Sequence, residues 1–344
     1  MKVGILNITG YAGIELARIL ARHPDAEVVA VTGRSDAGKP LGQVFPHLAC
    51  LDLMINSEIT ESVDVVFSAL PHKASAEACA SFLKSGVRVV DISADFRLNS
   101  VVEYEEWYDV RHSCPEYLEE AVYGLTELHK KEITGASLVA NPGCYPTSAI
   151  LALAPAIKAG IVEPDIIVDS KSGVSGAGRG LGLSTHYSEV NESVSAYSLE
   201  GHRHLPEITQ ELRQLMPLFE PRVTFLPHLV PMTRGILSSC YAPLRQGGLP
   251  NGEDGVKALW EIYRDFYQDE PFVRLAAAPP ATKHTLGNNN CILYPFLDQR
   301  TNRLLVVSCL DNLVKGAAGQ AIQNMNLMFG LPEAEGLTAL ALYP

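Results

Sequence analysis

The residues best suited to chemistry are Asn141-Pro142-Gly143-Cys144-Tyr145-Pro146-Thr147, which follow a short apolar strand signal at 138–140. Pro146 reads as the opening of a helix, since proline suits a first helical position, where no N–H is needed. Cys144 is therefore expected at or just before a helix N-terminus. There the positive end of the helix lowers a thiol's pKa and makes the thiolate available. Seven cysteines stand at 50, 79, 114, 144, 240, 291 and 309. Cys50, Cys79, Cys240 and Cys309 fit small buried hydrophobes, and Cys144 does not. An odd count without any C-x-x-C pair argues against a disulfide framework and against a structural zinc site.

A second cluster is Gly201-His202-Arg203-His204-Leu205-Pro206-Glu207-Ile208. His202 and His204 are two apart, so on an extended segment they share a face. A metal site is one reading, but it lacks a convincing third ligand, His186 and His228 being candidates in number only. A general acid–base with an anion-binding arginine is more economical. The residues themselves leave the two histidines symmetric.

Three loops could hold anions. Asn7-Ile8-Thr9-Gly10-Tyr11-Ala12-Gly13 lies between a strand signal and a helix signal, with glycines that let backbone approach a pyrophosphate at the helix start. Its first position is Asn where such loops usually carry Gly, and an ordinary tight turn is the competing reading. Thr32-Gly33-Arg34-Ser35 ends the second strand signal. NAD-binding folds usually place an acidic residue there for the ribose 2′-hydroxyl. Arg34 and Ser35 suit a 2′-phosphate instead, which favours NADPH over NADH. The run at 172–180, SGVSGAGRG, exposes consecutive backbone N–H groups and adds Arg179. A flexible surface loop explains that run equally well.

The elements that must position these residues follow from periodicity. Strand signals at 2–8, 27–32, 64–70, 87–92 and 138–140 alternate with helix signals at 14–22 and 75–84. Strands apolar on both faces and separated by helices imply a parallel, doubly wound dinucleotide-binding sheet. Beyond 165 the pattern changes to strands at 166–171, 222–229, 235–242, 290–296 and 304–310. Helices there are sparser, at about 205–215 and 253–267, and a last one spans 312–329. The expected architecture is α/β: a Rossmann cofactor domain over 1–144 plus 312–344, and an α+β substrate and oligomerisation domain with a mixed sheet over 145–311.

The chain has 344 residues, which suits two domains, and 47% hydrophobic with 19% charged residues is an ordinary globular balance. No apolar run approaches the roughly 18 residues of a membrane span. The N-terminus enters a strand signal directly, without the features of a secretory leader, so a cytoplasmic location is expected. A net charge of −12 disfavours nucleic acid as a partner but not a small anionic substrate held in a local pocket.

NPGCYPT, SGVSGAGRG and GHRHLPEI, together with TGYAG, GRSDAGKPL, SALPHKASAE, DISADFRL, PMTRGIL and DNLVKGAAGQAIQNMN, resemble the N-acetyl-gamma-glutamyl-phosphate reductases of arginine biosynthesis. The wider family includes aspartate-semialdehyde dehydrogenase, which uses the same cysteine chemistry. The resemblance implies Cys144 as nucleophile and His202 as its acid–base partner, and breaks the tie between the histidines. It implies that His204 and Glu207 shape the substrate site, with Arg203 and Arg179 as weaker candidates for anion contacts. Thr9, Gly10, Tyr11, Ala12, Gly13, Arg34, Ser35, Pro71, Gly176 and Asn312 would hold NADP(H), Asn312 near the nicotinamide. No metal is implied, and the final helix would fold back onto the cofactor domain. The implied reaction is attack of Cys144 on an acyl phosphate, loss of phosphate, hydride reduction of the thioester, and protonation of the oxyanion by His202. A homodimer or homotetramer with a small-molecule substrate is expected, and no nucleic acid or membrane partner. The alternatives are a lysine-pathway aminoadipyl-phosphate reductase, an aspartate-semialdehyde dehydrogenase, and a non-catalytic NADPH sensor. An acidic carrier protein would need a basic rim, which a charge of −12 opposes. A sensor needs no activated thiol.

Overall fold

The structure is a computed structural model and describes residues 1–344. It divides into two compact units, Met1–Gly143 with Ala317–Ala339, and Cys144–Gly316 with Leu340–Pro344.

The first unit opens with β1 (Lys2–Leu6), α1 (Tyr11–Leu20), β2 (Glu27–Thr32), α2 (Leu41–Val44), β3 (Ile55–Asn56) and β4 (Val65–Ser68). It continues through α3 (Ser75–Lys84), β5 (Arg88–Asp91), α4 (Val101–Tyr108), β6 (Val122–Tyr123), α5 (Thr126–Ile133) and β7 (Leu138–Ala140). The seven strands form one parallel sheet in the order β3-β2-β1-β4-β5-β7-β6. Its central strands are buried on both faces, Val3, Ile5, Val65, Val66, Phe67, Val89 and Val90 among them. The order reverses between β1 and β4, and a ligand crevice in such sheets lies beyond the strand ends at that reversal. β1 stops at Leu6 rather than at 8 because Asn7 turns into the left-handed region at φ 62°.

The second unit begins with α6 (Cys144–Lys158) and β8 (Asp165–Gly173). An exposed arm then carries α7 (Tyr187–Val190) and β9 (Ser195–Ala196) before α8 (Leu205–Gln214). β10 (Arg222–Val230), β11 (Ile236–Pro243), α9 (Gly252–Tyr267), β12 (Val273–Leu275), β13 (Cys291–Asp298) and β14 (Arg303–Leu310) complete it. The sheet is mixed, in the order β12-β13-β14-β11-β8-β10-β9. β8 runs parallel to β10 and antiparallel to β11. α6 is buried from Tyr145 to Ile157, as its mostly apolar sequence requires. Pro155 inside it cannot donate to the carbonyl of Leu151. The Tyr267 hydroxyl on α9 donates to that carbonyl at 2.5 Å, and Tyr263 donates to Ala152 O at 2.7 Å.

The helix expected over 312–329 is shorter and begins differently. A π-turn, Val314–Ala318, comes first, and α10 (Gly319–Met328) follows in the first unit. The turn is wide because Gly316 N–H reaches the Asp311 carbonyl, five residues back, at 3.0 Å. α10 buries Gln320, Gln323, Asn324 and Asn326 completely. The Asn324 amide donates to Gly124 O at 2.9 Å and to Asn141 Oδ1 at 3.1 Å, while Asn141 donates to Ala317 O at 3.2 Å. The final helix thus grips the asparagine of the NPGC motif. Arg97, itself buried, adds a hold by donating to the carbonyls of Asn141 and Ile92, each at 2.7 Å.

Candidate active site

Cys144 is the first residue of α6, so its side chain stands at the positive end of a fifteen-residue helix. It is partly exposed, whereas Cys79, Cys114, Cys240, Cys291 and Cys309 are buried; Cys50 is exposed, against expectation. Burial pushes the thiols of Cys79, Cys114 and Cys240 up and that of Cys309 to about 12, so those four stay protonated.

Tyr145, the next residue, links the helix headed by Cys144 to the histidine cluster. Its ring meets His202 edge-on at 5.6 Å, His204 at 5.9 Å and Phe225 at 5.3 Å. Tyr197 closes the other side, 5.5 Å from His202, and its hydroxyl donates to the Tyr145 hydroxyl at 3.1 Å. Tyr145 passes a longer contact, 3.4 Å, to the carbonyl of His228. Burial raises both phenols, Tyr197 to about 12, so both remain protonated donors. Sequence reading singled out neither tyrosine nor Phe225; an aromatic directly after Cys144 was the available signal for Tyr145.

The histidine pair does not lie on an extended segment. Leu205 N–H bonds back to the His202 carbonyl at 2.8 Å, and this turn brings the two rings to 4.8 Å. His204 N–H donates to His202 Nδ1 at 3.1 Å. Nδ1 must therefore be the lone-pair nitrogen, and in the neutral ring the proton sits on Nε2. A second proton on Nδ1 would face that N–H. Burial, and then the Arg203 charge, lower the His202 pKa to about 4. His204 heads α8, with Glu207 fully buried in the first turn, while Arg203 and Arg179 are exposed. No group of three or more His, Cys, Asp or Glu side chains is placed to hold a metal ion.

Asn312 ties the glycine-rich run to its neighbours in the second unit. Its amide donates to Ser175 Oγ at 2.9 Å, and its oxygen accepts from Gly235 N–H at 2.8 Å. Backbone bonds from Gly173, Val174 and Ser175 to Gly235, Met232 and Thr233 complete the pairing. Gly176 lies against this corner: a Cβ there would sit 3.8 Å from Asn312 Nδ2.

In the first unit, Thr9 to Gly13 form the turn into α1, which has no side-chain cap and no acidic residue in its first turn. Its free N–H groups suit a pyrophosphate. Asn7 occupies the left-handed conformation that glycine usually supplies, and its Nδ2 donates to Ala69 O at 2.8 Å, beyond β4. The loop is therefore pinned at the point where strand order reverses. Gly13 cannot vary: a Cβ would lie 2.5 Å from Asn7 O. Arg34 and Ser35 are exposed after β2 with Gly33 packed on Thr9, and Pro71 is exposed after β4. This uncapped helix start, glycine cradle and exposed guanidinium fit a dinucleotide carrying a 2′-phosphate.

Two family models cover most of the chain: semialdehyde dehydrogenase, NAD binding domain, over residues 2–136, and semialdehyde dehydrogenase, dimerisation domain, over 144–312. A Dehalococcoides mccartyi protein named N-acetyl-gamma-glutamyl-phosphate reductase is 57% identical over 343 residues, covering 100% of this chain and 99% of the relative. Proteins of the same name from Pelotomaculum thermopropionicum and Geobacter metallireducens are 51% and 48% identical, over 100% of this chain and 99% and 100% of theirs. Among solved structures, aspartate semialdehyde dehydrogenase with NADP from Candida albicans matches with TM-score 0.67 at 17% identity, covering 95% of this chain and 97% of that one. Aspartate semialdehyde dehydrogenase II from Vibrio cholerae matches equally, with TM-score 0.67, 17% identity and the same coverage. These two likenesses speak to the fold. The chain belongs to the semialdehyde dehydrogenase family, among the N-acetyl-gamma-glutamyl-phosphate reductases.

Proposed function

We propose that the protein reduces N-acetyl-L-glutamyl 5-phosphate to N-acetyl-L-glutamate 5-semialdehyde and phosphate, with NADPH, in arginine biosynthesis. The observation that carries this reading is the thiol of Cys144 at the start of α6, joined through Tyr145 to the His202 cluster, in a chain 57% identical to a protein of that name. Cys144 attacks the acyl carbonyl; the C–O bond to phosphate breaks with its electron pair, and a thioester remains. Bound NADPH supplies the hydride that reduces this thioester. His202 then faces a thiohemiacetal oxyanion, gives it the Nε2 proton, and takes that proton back as the intermediate collapses. When the oxyanion re-forms the carbonyl, the C–S bond breaks and the thiolate returns. Splitting one displacement into two is the gain of a covalent nucleophile. Arg34 and Ser35 hold the 2′-phosphate, the turn from Thr9 to Gly13 and Pro71 hold the rest of the dinucleotide, and Gly176 and Asn312 frame the nicotinamide. Arg203, His204, Glu207 and Arg179 serve the substrate.

The family model's dimerisation domain supports a homodimer or homotetramer, as does the second sheet, which leaves Ile167 and Phe296 39% and 44% exposed. No helix is long and apolar enough to cross a membrane, and a cytoplasmic site suits a biosynthetic reductase.

Turnover is tested in reverse, as NADP reduction by N-acetylglutamate semialdehyde with and without phosphate. Cys144→Ser should bind NADPH normally and lose several orders of magnitude in rate, because a serine hydroxyl stays protonated. More than about a tenth of wild-type rate in that variant would end the thioester mechanism.

A further inference from the structure

A glycine in the DNLVKGAAGQ run, given no role above, touches the nucleophile. A Cβ built on Gly316 would stand 2.7 Å from Cys144 Cβ and 3.2 Å from its Cα. Carbon atoms pack at about 3.5–4.0 Å, so no side chain fits there without displacing residue 144. The approach is close because Gly316 lies in the π-turn Val314–Ala318, a form that often marks functional positions. The turn is anchored at a single fully buried carboxylate residue, Asp311. Its main-chain carbonyl accepts from Val314 at 3.2 Å and Gly316 at 3.0 Å. Its carboxylate accepts from Leu313 N–H and Gly287 N–H, each at 2.8 Å, and faces Arg234 at 3.6 Å. Three segments distant in sequence thus fix the plane of backbone against which Cys144 rests.

We infer that the Asp311–Gly316 turn positions Cys144, with Gly316 as the residue whose missing side chain holds the thiol at the head of α6. The backbone of Gly316 occupies one side of the Cys144 Cβ and limits where the sulfur can swing. A thiol kept in line with the helix start keeps the benefit of the free N–H groups, which falls off within the first turn. A displacement of about 1 Å at a reacting group can cost about 10²-fold in rate.

This inference rests on Cys144 being the nucleophile, and its test separates the two. In Gly316→Ala, kcat should fall about 100-fold, with the NADPH dissociation constant within about two-fold. Alkylation of Cys144 by iodoacetamide, counted per folded molecule, should slow at pH 7, with its pH midpoint moved upward. A merely structural loss would lower the yield or the Tm and leave the midpoint in place. An unchanged midpoint and an unchanged rate in Gly316→Ala would overturn the positioning role, whatever Cys144→Ser does to turnover. Should Gly316→Ala fail to fold, the pair Cys144→Gly and Cys144→Gly/Gly316→Ala decides. With the Cβ of residue 144 removed, the added methyl meets nothing closer than the Cα at 3.2 Å and should cost less Tm than it does beside the cysteine. A double variant as unstable as Gly316→Ala alone would place the clash elsewhere and refute the contact.

Discussion

The acidity of His202 makes the sharpest forecast. With a pKa near 4, about one molecule in a thousand carries an imidazolium at pH 7, against about one in four for an unshifted histidine. The working form is then the neutral ring with its proton on Nε2, fixed by the His204 N–H at Nδ1. Because the folded pKa is lowered, the competent form is complete above about pH 5 and is lost only as pH falls through about 4. The kcat profile should therefore show no inflection from this group between pH 5.5 and 8, in the range where an ordinary histidine titrates. His202→Asn should lower kcat by about 10² to 10⁴ at every pH in that range, since its contribution belongs to the transition state. His204→Asn keeps the backbone N–H that fixes His202 and should act mainly on KM. The assay is steady-state NADP reduction across pH, with proton titration of His202 followed by NMR. A wild-type inflection near pH 6.5 that disappears in His202→Asn would refute the neutral-ring account. A larger kcat loss in His204→Asn than in His202→Asn would reverse the two roles.

Other outcomes follow from the first unit. Arg34→Ala should weaken NADPH by roughly ten-fold to a hundred-fold and leave NADH nearly unchanged, as a lost charge-assisted contact is worth roughly 1.5–3 kcal/mol; equal effects on both would remove Arg34 from the 2′-phosphate. Gly13→Ala drives a methyl onto Asn7 O, a backbone atom that cannot yield cheaply. Its Tm should fall, and NADPH affinity should drop at least ten-fold as the loop leaves α1; calorimetric binding at wild-type strength would contradict the cradle. Asp91 is held up at about 6 by burial and then by Asp95, so its neutral form favours the fold at low pH and that gain is lost as pH rises through about 6. Asp91→Asn should flatten the fall of Tm between about pH 4 and 7, and an unaltered Tm profile would discount the shift.

Much of this was legible in the sequence because it depends on local pattern. The alternation of apolar strands and helices gave away the first sheet, and Pro146 after Cys144 signalled a helix start two residues late. What was not legible depends on backbone geometry or distant partners. Asn7 looked like a departure from the glycine loop, yet an asparagine can take the left-handed conformation, and its bond to Ala69 needed the folded strand order to be seen. The segment at 312–318 reads as plain helix because a π-turn changes hydrogen-bond reach and not residue type. The spacing of His202 and His204 suggested an extended pair, whereas the turn ending at Leu205 sets both the ring contact and the tautomer. Short elements such as β3, β6 and α2 carry too few residues for periodicity to register.

Pro155 leaves α6 without one of its own amide bonds; the Tyr267 hydroxyl on α9 takes the freed carbonyl of Leu151, and the Tyr263 hydroxyl adds a bond to that of Ala152. Opening the middle of α6 therefore means withdrawing two tyrosines from their partners, so fluctuations of the two helices are coupled. Amide exchange in α6 and α9 should slow or quicken together, as one cooperative unit. Removing either hydroxyl, as in Tyr267→Phe, would loosen the middle of the helix that carries the thiol while leaving its surroundings at residue 144 chemically unaltered.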